Sequence, residues 1–164
     1  MTTPKYARVE DEQRFLVSNL PAEASDPRML TDRYLTGTRL RLRLLVGAGP
    51  TVRKLGHKVR LDGAGPSAVW HTTCYLDEAE YDLLAALPAG TVEKRRWSLP
   101  GSMCADEFLG ALRGLVLIEG PRPTTVQGTA VEVTDDEGFT GGALAGLDDH
   151  DGAAFVAAAR RRVS

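Results

Sequence analysis

Charged side chains alternate with apolar or smaller ones in several short segments, and this alternation is the sequence feature most relevant to chemistry. Glu10, Glu12 and Arg14 occupy every second position just before the apolar run FLV, and segment 39–45 reads RLRLRLL. Successive side chains of a β-strand point to opposite faces, so each segment would place its charges on one face. Both segments are therefore predicted to be strands with one charged face.

The same pattern recurs along most of the chain. The further charged residues in strand-like segments are Lys54, Lys58, Lys94, Arg96, Asp106, Glu119 and Glu132. Any one of these segments also fits an ordinary solvated strand face, but the full set is harder to explain in that way. Strands of this kind could close with their apolar faces outward beneath helices, so that the charged faces line a polar lumen.

Such a lumen predicts a specific kind of ligand. Buried charges must be paired or must meet a ligand. Arginine and lysine in excess suit a phosphate chain, and clustered glutamates suit a hard divalent cation such as Mg²⁺. No GxxxxGK[ST] motif occurs, and the GxG sequences at 47–49 and 63–65 are predicted to be hairpin turns. The residues thus indicate a metal–polyphosphate site built without a glycine-rich loop.

Runs with strand-like patterns are predicted to form about eight strands, the number in a small closed barrel. The predicted strands are 6–17, 39–45, 52–61, 68–76, 91–98, 103–108, 114–119 and 129–134. Segment 77–87 is predicted to be a helix capped by Asp77, the C-terminal GAAFVAAARRRV a second helix, and 26–35 a short helical turn. The expected fold class is α+β: a closed eight-stranded antiparallel β-barrel, or tunnel, with helices on the outside.

Composition limits the function classes. The 164 residues fit a single domain spanning 1–164, and the net charge of −2 disfavours a nucleic-acid partner. Two cysteines make no disulfide framework, and no apolar run approaches a membrane span or a signal peptide. A cytoplasmic protein with no membrane partner is expected, and a homodimer is left open.

The charged segments resemble those of a known family. Glu10-Asp11-Glu12-Gln13-Arg14 is similar to the ExExK signature of the CYTH superfamily, the triphosphate tunnel metalloenzymes. The similarity continues in the family's order over essentially the whole chain, through RYLTGTRLRLR (33–43), KLGHK (54–58), TTCYLDEAEYDLLAALP (72–88), KRR (94–96), DEFLGALRGLVLIE (106–119) and EVTDDEGFTGGALA (132–145). This resemblance implies an eight-stranded tunnel that binds a triphosphate with Mg²⁺ or Mn²⁺.

The resemblance also implies roles for individual residues. The carboxylates expected to bind metal are Glu10, Glu12, Glu119 and Glu132. The cations expected to hold phosphate are Arg39, Arg41, Lys58, Lys94 and Arg96, with Arg43 as an alternative second member of the arginine pair. Arg14 and Glu12 are the expected catalytic pair, and Asp106 matches an acidic residue that supports the site.

Two positions depart from the family pattern. Arg14 stands where the signature has lysine, and a guanidinium is larger and more forked than an ammonium. Pro121 stands where a second glutamate usually follows Glu119, so one metal ligand could be missing. Both departures concern catalysis more than binding of phosphate.

The expected function is metal-dependent hydrolysis of a triphosphate, with inorganic tripolyphosphate as the leading substrate. One alternative is a non-catalytic module that binds polyphosphate or a nucleotide. The others are a class IV adenylyl cyclase and a thiamine or nucleoside triphosphatase.

Overall fold

The computed structural model describes residues 4–61 and 68–164, and in these residues the chain forms nine β-strands and three α-helices. The strands are β1 (Arg8–Val17), β2 (Ser25–Leu35), β3 (Leu40–Val46), β4 (Val52–Arg60), β5 (Ala68–Tyr75), β6 (Ala89–Ser98), β7 (Cys104–Phe108), β8 (Val116–Pro121) and β9 (Ala130–Glu132). The helices are α1 (Glu78–Ala85), α2 (Gly141–Ala145) and α3 (Asp149–Arg160). Two short 3₁₀ turns cover Gly110–Leu112 and Glu137–Phe139.

Eight of the strands close into a barrel. The hydrogen-bonded order is β5-β4-β3-β2-β6-β7-β8-β1, and the amino-terminal part of β1 pairs with β5 to close the ring. Every pairing is antiparallel. The predicted α+β fold, a closed eight-stranded antiparallel barrel with helices outside it, is confirmed.

The set of barrel strands differs from the prediction in two places. Segment 26–35, predicted to be a helical turn, lies within β2 and pairs with both β3 and β6. Its sequence DPRML begins like a turn, but hydrogen bonding to a strand on each side stabilises the extended form. The register with β6 is irregular between Ser25 and Arg28. Segment 129–134 is not part of the ring. In the described residues its short strand β9 pairs only with the carboxyl-terminal end of β1, whereas β5 pairs with the amino-terminal part of β1.

The alternation seen in the sequence separates the two faces of the barrel. The outward-facing Val17, Ala105 and Ile118 are nearly fully buried against loop residues such as Leu20 and Val126. Their burial keeps the apolar face away from water and leaves the charged face directed inward. The strand patterns predict these outward apolar and inward charged faces, but loop residues rather than helices cover these outward side chains.

Apolar side chains close one end of the barrel. Leu16, Phe108 and Leu117 share the inward face with the charged residues of their strands, and they pack with Leu144 of α2 and Val156 of α3. A side chain at Gly90, on the inward face of β6, would collide with the carbonyl group of Ala145 in α2. The C-terminal helices therefore pack against this end, and the polar cavity occupies the space beyond it.

None of the helices in the described part of the chain is long and apolar enough to cross a membrane.

Candidate active site in a charged tunnel

The inward faces of the strands surround a cavity of about 530 Å³ that is dominated by charged side chains. Three carboxylates face it: Glu10, Glu12 and Glu119. Nine cations also line it: Arg14, Arg39, Arg41, Arg43, Lys54, Lys58, Arg60, Lys94 and Arg96. The excess of positive charge in a confined volume favours an anion with several charges.

One side of the cavity is organised around Asp32, which is 1 % exposed. Its two carboxylate oxygens accept hydrogen bonds of 2.6 Å from Nε and Nη2 of Arg43. The Nε atom of Arg41 and the Nζ atom of Lys94 lie farther off, each at 3.9 Å. Burial alone would raise the pKa of Asp32, but these cations, Arg43 first, hold it well below its usual range. The guanidinium of Arg43 is therefore ion-paired with Asp32 and is less available to a ligand.

A second ion-pair chain crosses from β6 to β1. Asp106 is 1 % exposed and accepts hydrogen bonds from Lys94 Nζ at 2.5 Å and from Arg96 Nε and Nη2 at 2.6 Å. Arg96 Nη2 also donates to Glu119 at 2.9 Å, and Arg14 Nε donates to the other oxygen of Glu119 at 3.0 Å. Asp106 thus fixes Lys94 and Arg96 at the cavity wall, and Glu119 bridges Arg96 to Arg14.

The two glutamates of β1 differ in their environments. Glu10 contacts Nζ of Lys58 at 2.8 Å and Nδ1 of His71 at 2.5 Å. Burial opposes ionisation of Glu10, but these two partners outweigh it and lower its pKa to about 2. Glu12 has no hydrogen-bond or ion-pair partner in the described residues, and its pKa is raised by burial and by the charge of Glu119.

Two cations on β3 and β4 lack an acidic hydrogen-bond partner in the part of the chain that the structure describes. The Nε atom of Arg41 is buried and forms no hydrogen bond with any described residue. Lys54, in register with Arg43, faces the cavity. Its pKa is lowered by burial and by the guanidinium groups of Arg43, Arg41 and Arg96. Like charges crowded in this way indicate a wall adapted to bind an anion.

The structure brings nearly all the predicted site residues to one cavity. Glu10, Glu12, Arg14, Arg39, Arg41, Arg43, Lys58, Lys94, Arg96 and Glu119 line it, and Asp106 lies in the wall behind. Glu132 is the exception: it is exposed, and its carboxylate accepts hydrogen bonds from Gln13 at 3.0 Å and Thr134 at 2.7 Å. Its Cα pairs with the outward-facing Phe15, so it points away from the tunnel.

The carboxylates that face the cavity do not converge on a single point. Within residues 4–61 and 68–164, no three His, Cys, Asp or Glu side chains form a cluster able to hold a metal ion. Glu10 and Glu119 are held by cations instead. Pro121, directly opposite Glu12 in the register of β1 and β8, supplies no carboxylate.

Sequence reasoning left several lining residues out of the site. Lys54 lies on the same face of its strand as Lys58, and this even spacing was the sequence feature that could have placed Lys54 in the site. His71 is in register with Lys58, but only strand pairing shows this. Tyr34, which lines the cavity, and Asp32, which is buried beside Arg43, were missed because segment 26–35 was not predicted to be a strand.

Comparison with solved structures supports the same architecture. A crystal structure of the inorganic triphosphatase NE1496 matches with a TM-score of 0.55 and 23 % sequence identity, covering 85 % of this chain and 95 % of that one. Another, described as the hypothetical protein NE1496, matches with a TM-score of 0.53 and 24 % identity over 83 % and 97 %. No family model matches the sequence, and the search of curated proteins gives no match. The closed barrel and these likenesses together show that the chain shares the fold of these two structures.

Proposed function

We propose that this protein hydrolyses a triphosphate bound in the tunnel together with a divalent cation, and that inorganic tripolyphosphate is its substrate. The observation that carries the proposal is the cavity itself, in which nine cations face three carboxylates. A triphosphate would neutralise the wall that includes Arg39, Arg41 and Lys54. A divalent cation would neutralise the side that includes Glu10, Glu12 and Glu119.

The chemistry of the carboxylates fits Mg²⁺ or Mn²⁺. Both ions accept oxygen ligands, and Mg²⁺ commonly binds through one or two carboxylates together with substrate phosphates and water. Glu12 faces the cavity beside the negative charge of Glu119, with no hydrogen-bond or ion-pair partner among the described residues, and a bound cation would relieve that repulsion. The three carboxylates form no metal cluster in the described residues, so they would hold the ion only together with substrate phosphate: Glu12 and Glu119, with Glu10, would supply carboxylate ligands. The ion would supply Lewis-acid stabilisation of charge on the phosphoryl oxygens.

The residues of the chain would contribute mainly by position and charge. In hydrolysis, water attacks the terminal phosphorus and the bond to the bridging oxygen breaks, which releases orthophosphate and pyrophosphate. Arg41, Lys94 and Arg96 would stabilise charge as it develops on the phosphoryl oxygens, a contribution that dominates phosphoryl transfer. Arg14 and Glu12, neighbours on the inward face of β1, would orient the attacking water.

Three of the aromatic rings near the tunnel are placed against stacking with a nucleotide base, which leaves Tyr34 as the further aromatic side chain of the lining that the structure describes. Both tryptophans lie on outward strand faces: Trp70 pairs with Val9, and Trp97 packs in the outer apolar cluster. Phe108 is 3 % exposed and lies beneath the Lys94 ammonium, 5.4 Å from ring centroid to Nζ. These rings therefore offer no open face on which a base could stack.

A specific observation favours a second candidate, a non-catalytic module that binds polyphosphate or a nucleotide. Arg14 occupies the signature position, but its Nε atom donates a hydrogen bond of 3.0 Å to Glu119 and is therefore less available to a ligand. Pro121 stands opposite Glu12 where a further carboxylate would complete a metal site. Both features would weaken catalysis and would leave the cations proposed to bind phosphate in place.

One substrate panel separates these functions. Phosphate release and cyclic AMP formation would be measured on tripolyphosphate, thiamine triphosphate and nucleoside triphosphates with Mg²⁺ or Mn²⁺. The proposal expects phosphate release to be fastest from tripolyphosphate and expects no cyclic AMP. Binding of tripolyphosphate without release above background would favour the binding module, and cyclic AMP from ATP would favour the cyclase.

Replacing Arg14 with lysine tests the first departure. We expect Arg14→Lys to keep the affinity for tripolyphosphate within about threefold, because the positive charge beside Glu119 is retained. We expect kcat to rise, because the smaller ammonium leaves more room for the attacking water. Steady-state kinetics with calorimetric binding would check both, and Arg14→Met is the control that should lose affinity. A lower kcat in Arg14→Lys would contradict this account of the departure.

A further inference from the structure

His71 of β5 lies in the tunnel wall among charged side chains, and it has no part in the hydrolysis described above. Its side chain is 9 % exposed and lines the cavity. In the strand register it stands beside Lys58 of β4 on one side and Arg8 of β1 on the other. His71 therefore lies at the seam where β1 and β5 close the barrel.

The hydrogen bonds of the imidazole determine which nitrogen carries a proton. Nδ1 lies 2.5 Å from Oε1 of Glu10, and Nε2 lies 3.2 Å from the hydroxyl of Thr73. Glu10 is ionised at neutral pH because its pKa is about 2, and an ionised carboxylate only accepts hydrogen bonds. Nδ1 is therefore protonated and donates to Glu10 in either charge state of the ring. In the neutral ring, Nε2 accepts from the Thr73 hydroxyl.

Gly56 of β4 makes room for this ring. A Cβ atom at Gly56 would lie 2.8 Å from Nε2 of His71, which is closer than real Cβ contacts come. Any side chain at this position would push the imidazole away from its present place. The glycine thus lets the ring of His71 reach Glu10 across the inward face.

The two oxygens of Glu10 have partners of different kinds. Oε1 accepts from the nearly buried imidazole, whereas Oε2 contacts Nζ of Lys58 at 2.8 Å. The side chain of Lys58 is 37 % exposed and has a long flexible stem, but the imidazole is short and packed over Gly56. His71 is therefore the rigid partner that sets the orientation of the Glu10 carboxylate. Carboxylates that bind metal ions depend on such hydrogen-bond partners for their orientation.

We infer that His71 is a positioning residue, which holds Glu10 in the orientation needed to bind the divalent cation that accompanies the substrate. This inference rests on the proposed function and adds a residue to it. His71 acts through Glu10 alone. Its loss should weaken the contribution of the cation to ligand binding, but not the binding of the phosphate chain by itself.

The test is calorimetric binding of imidotriphosphate, an analogue whose bridging nitrogens resist hydrolysis, in excess EDTA and with Mn²⁺. The Kd in EDTA divided by the Kd with Mn²⁺ measures the contribution of the cation. We expect His71→Leu to lower this ratio roughly tenfold to a hundredfold, the range for loss of an outer partner of a metal ligand, with the Kd in EDTA within about threefold of wild type. A purely structural role would change both Kd values together.

Two further variants test the geometry. His71→Asn should restore most of the ratio, because its amide nitrogen donates from nearly the position of Nδ1. Gly56→Ala should lower the ratio, because it displaces the ring without removing it. It replaces His71→Leu in the test if thermal unfolding shows that His71→Leu is not folded.

His57→Leu is the matched control, since His57 lies on the outward face of β4, in register with Leu40 and Thr72. It should keep the wild-type ratio. In a Glu10→Gln background, His71→Leu should lower the ratio no further, because His71 acts through Glu10.

A ratio in His71→Leu within about twofold of wild type would overturn the inference and leave the proposed function in place. An additive loss in the double variant would do the same. If the wild-type protein binds imidotriphosphate in neither condition, both the inference and the proposed function are overturned.

Discussion

Arg41→Ala is expected to weaken binding of tripolyphosphate by about 2–4 kcal/mol, which corresponds to roughly 30-fold to 1000-fold in Kd. The reason is that the buried Nε atom of Arg41 has no partner in the described protein, so the ligand would be its main acceptor. The fold should survive, with stability unchanged within about 1 kcal/mol, because Asp32 keeps its two hydrogen bonds to Arg43. Calorimetric titration and thermal unfolding measure the two quantities.

A suitable control for Arg41 is Arg95→Ala. Arg95 lies on the outer face of β6 and pairs with Glu107 at 3.3 Å across the strands. Its loss should change the free energy of unfolding by no more than about 0.5 kcal/mol and should leave Kd unchanged. Equal affinities of Arg41→Ala and wild type would show that Arg41 does not contribute to phosphate binding.

Asp32→Asn is expected to lower the free energy of unfolding by about 3–5 kcal/mol, the usual cost of removing one partner from a buried ion pair. The side chains of Asp32 and Arg43 are both almost fully buried, so solvent would compensate little for the lost charge. Denaturant unfolding at neutral pH measures the change. Asp82→Asn, an exposed substitution on α1, is the control and should stay within about 0.5 kcal/mol.

The same aspartate predicts how stability depends on pH. The pKa of Asp32 is depressed in the folded protein, so its contribution is fully present above the pKa of the unfolded chain, about 3.9. That contribution is lost as the pH falls below this value toward the folded pKa. The stability difference between wild type and Asp32→Asn should therefore shrink on acidification below about pH 4. A difference that stays constant down to acid unfolding would argue against the ion pair.

Much of the architecture could be predicted because period-2 patterns specify the faces of strands directly. The RLRLR segment gave the inward arginines, and Glu10, Glu12 and Arg14 likewise point into the tunnel. Strand β2 was missed because its DPR start resembles a turn, and its extended form depends on pairing with β3 and β6. Local sequence does not contain that information.

The site was harder to predict in detail, because pairing of charges is decided by three-dimensional contacts. Glu132 was expected in the tunnel, yet β9 pairs with β1 so that this residue faces outward. Arg41 and Arg43 look equivalent in the sequence, but only Arg43 contacts Asp32 closely. Whether a cation is already ion-paired or is available to bind a ligand can therefore be judged only when its neighbours on other strands are known.

The most direct test of the central proposal is phosphate release from tripolyphosphate with Mg²⁺ or Mn²⁺ and, in parallel, with excess EDTA. The tunnel's facing cations and carboxylates predict release that requires the divalent cation and stops when EDTA removes it. Full activity in excess EDTA would contradict the role given to Glu10, Glu12 and Glu119. Release no faster than background with either metal, although tripolyphosphate binds, would contradict hydrolysis itself.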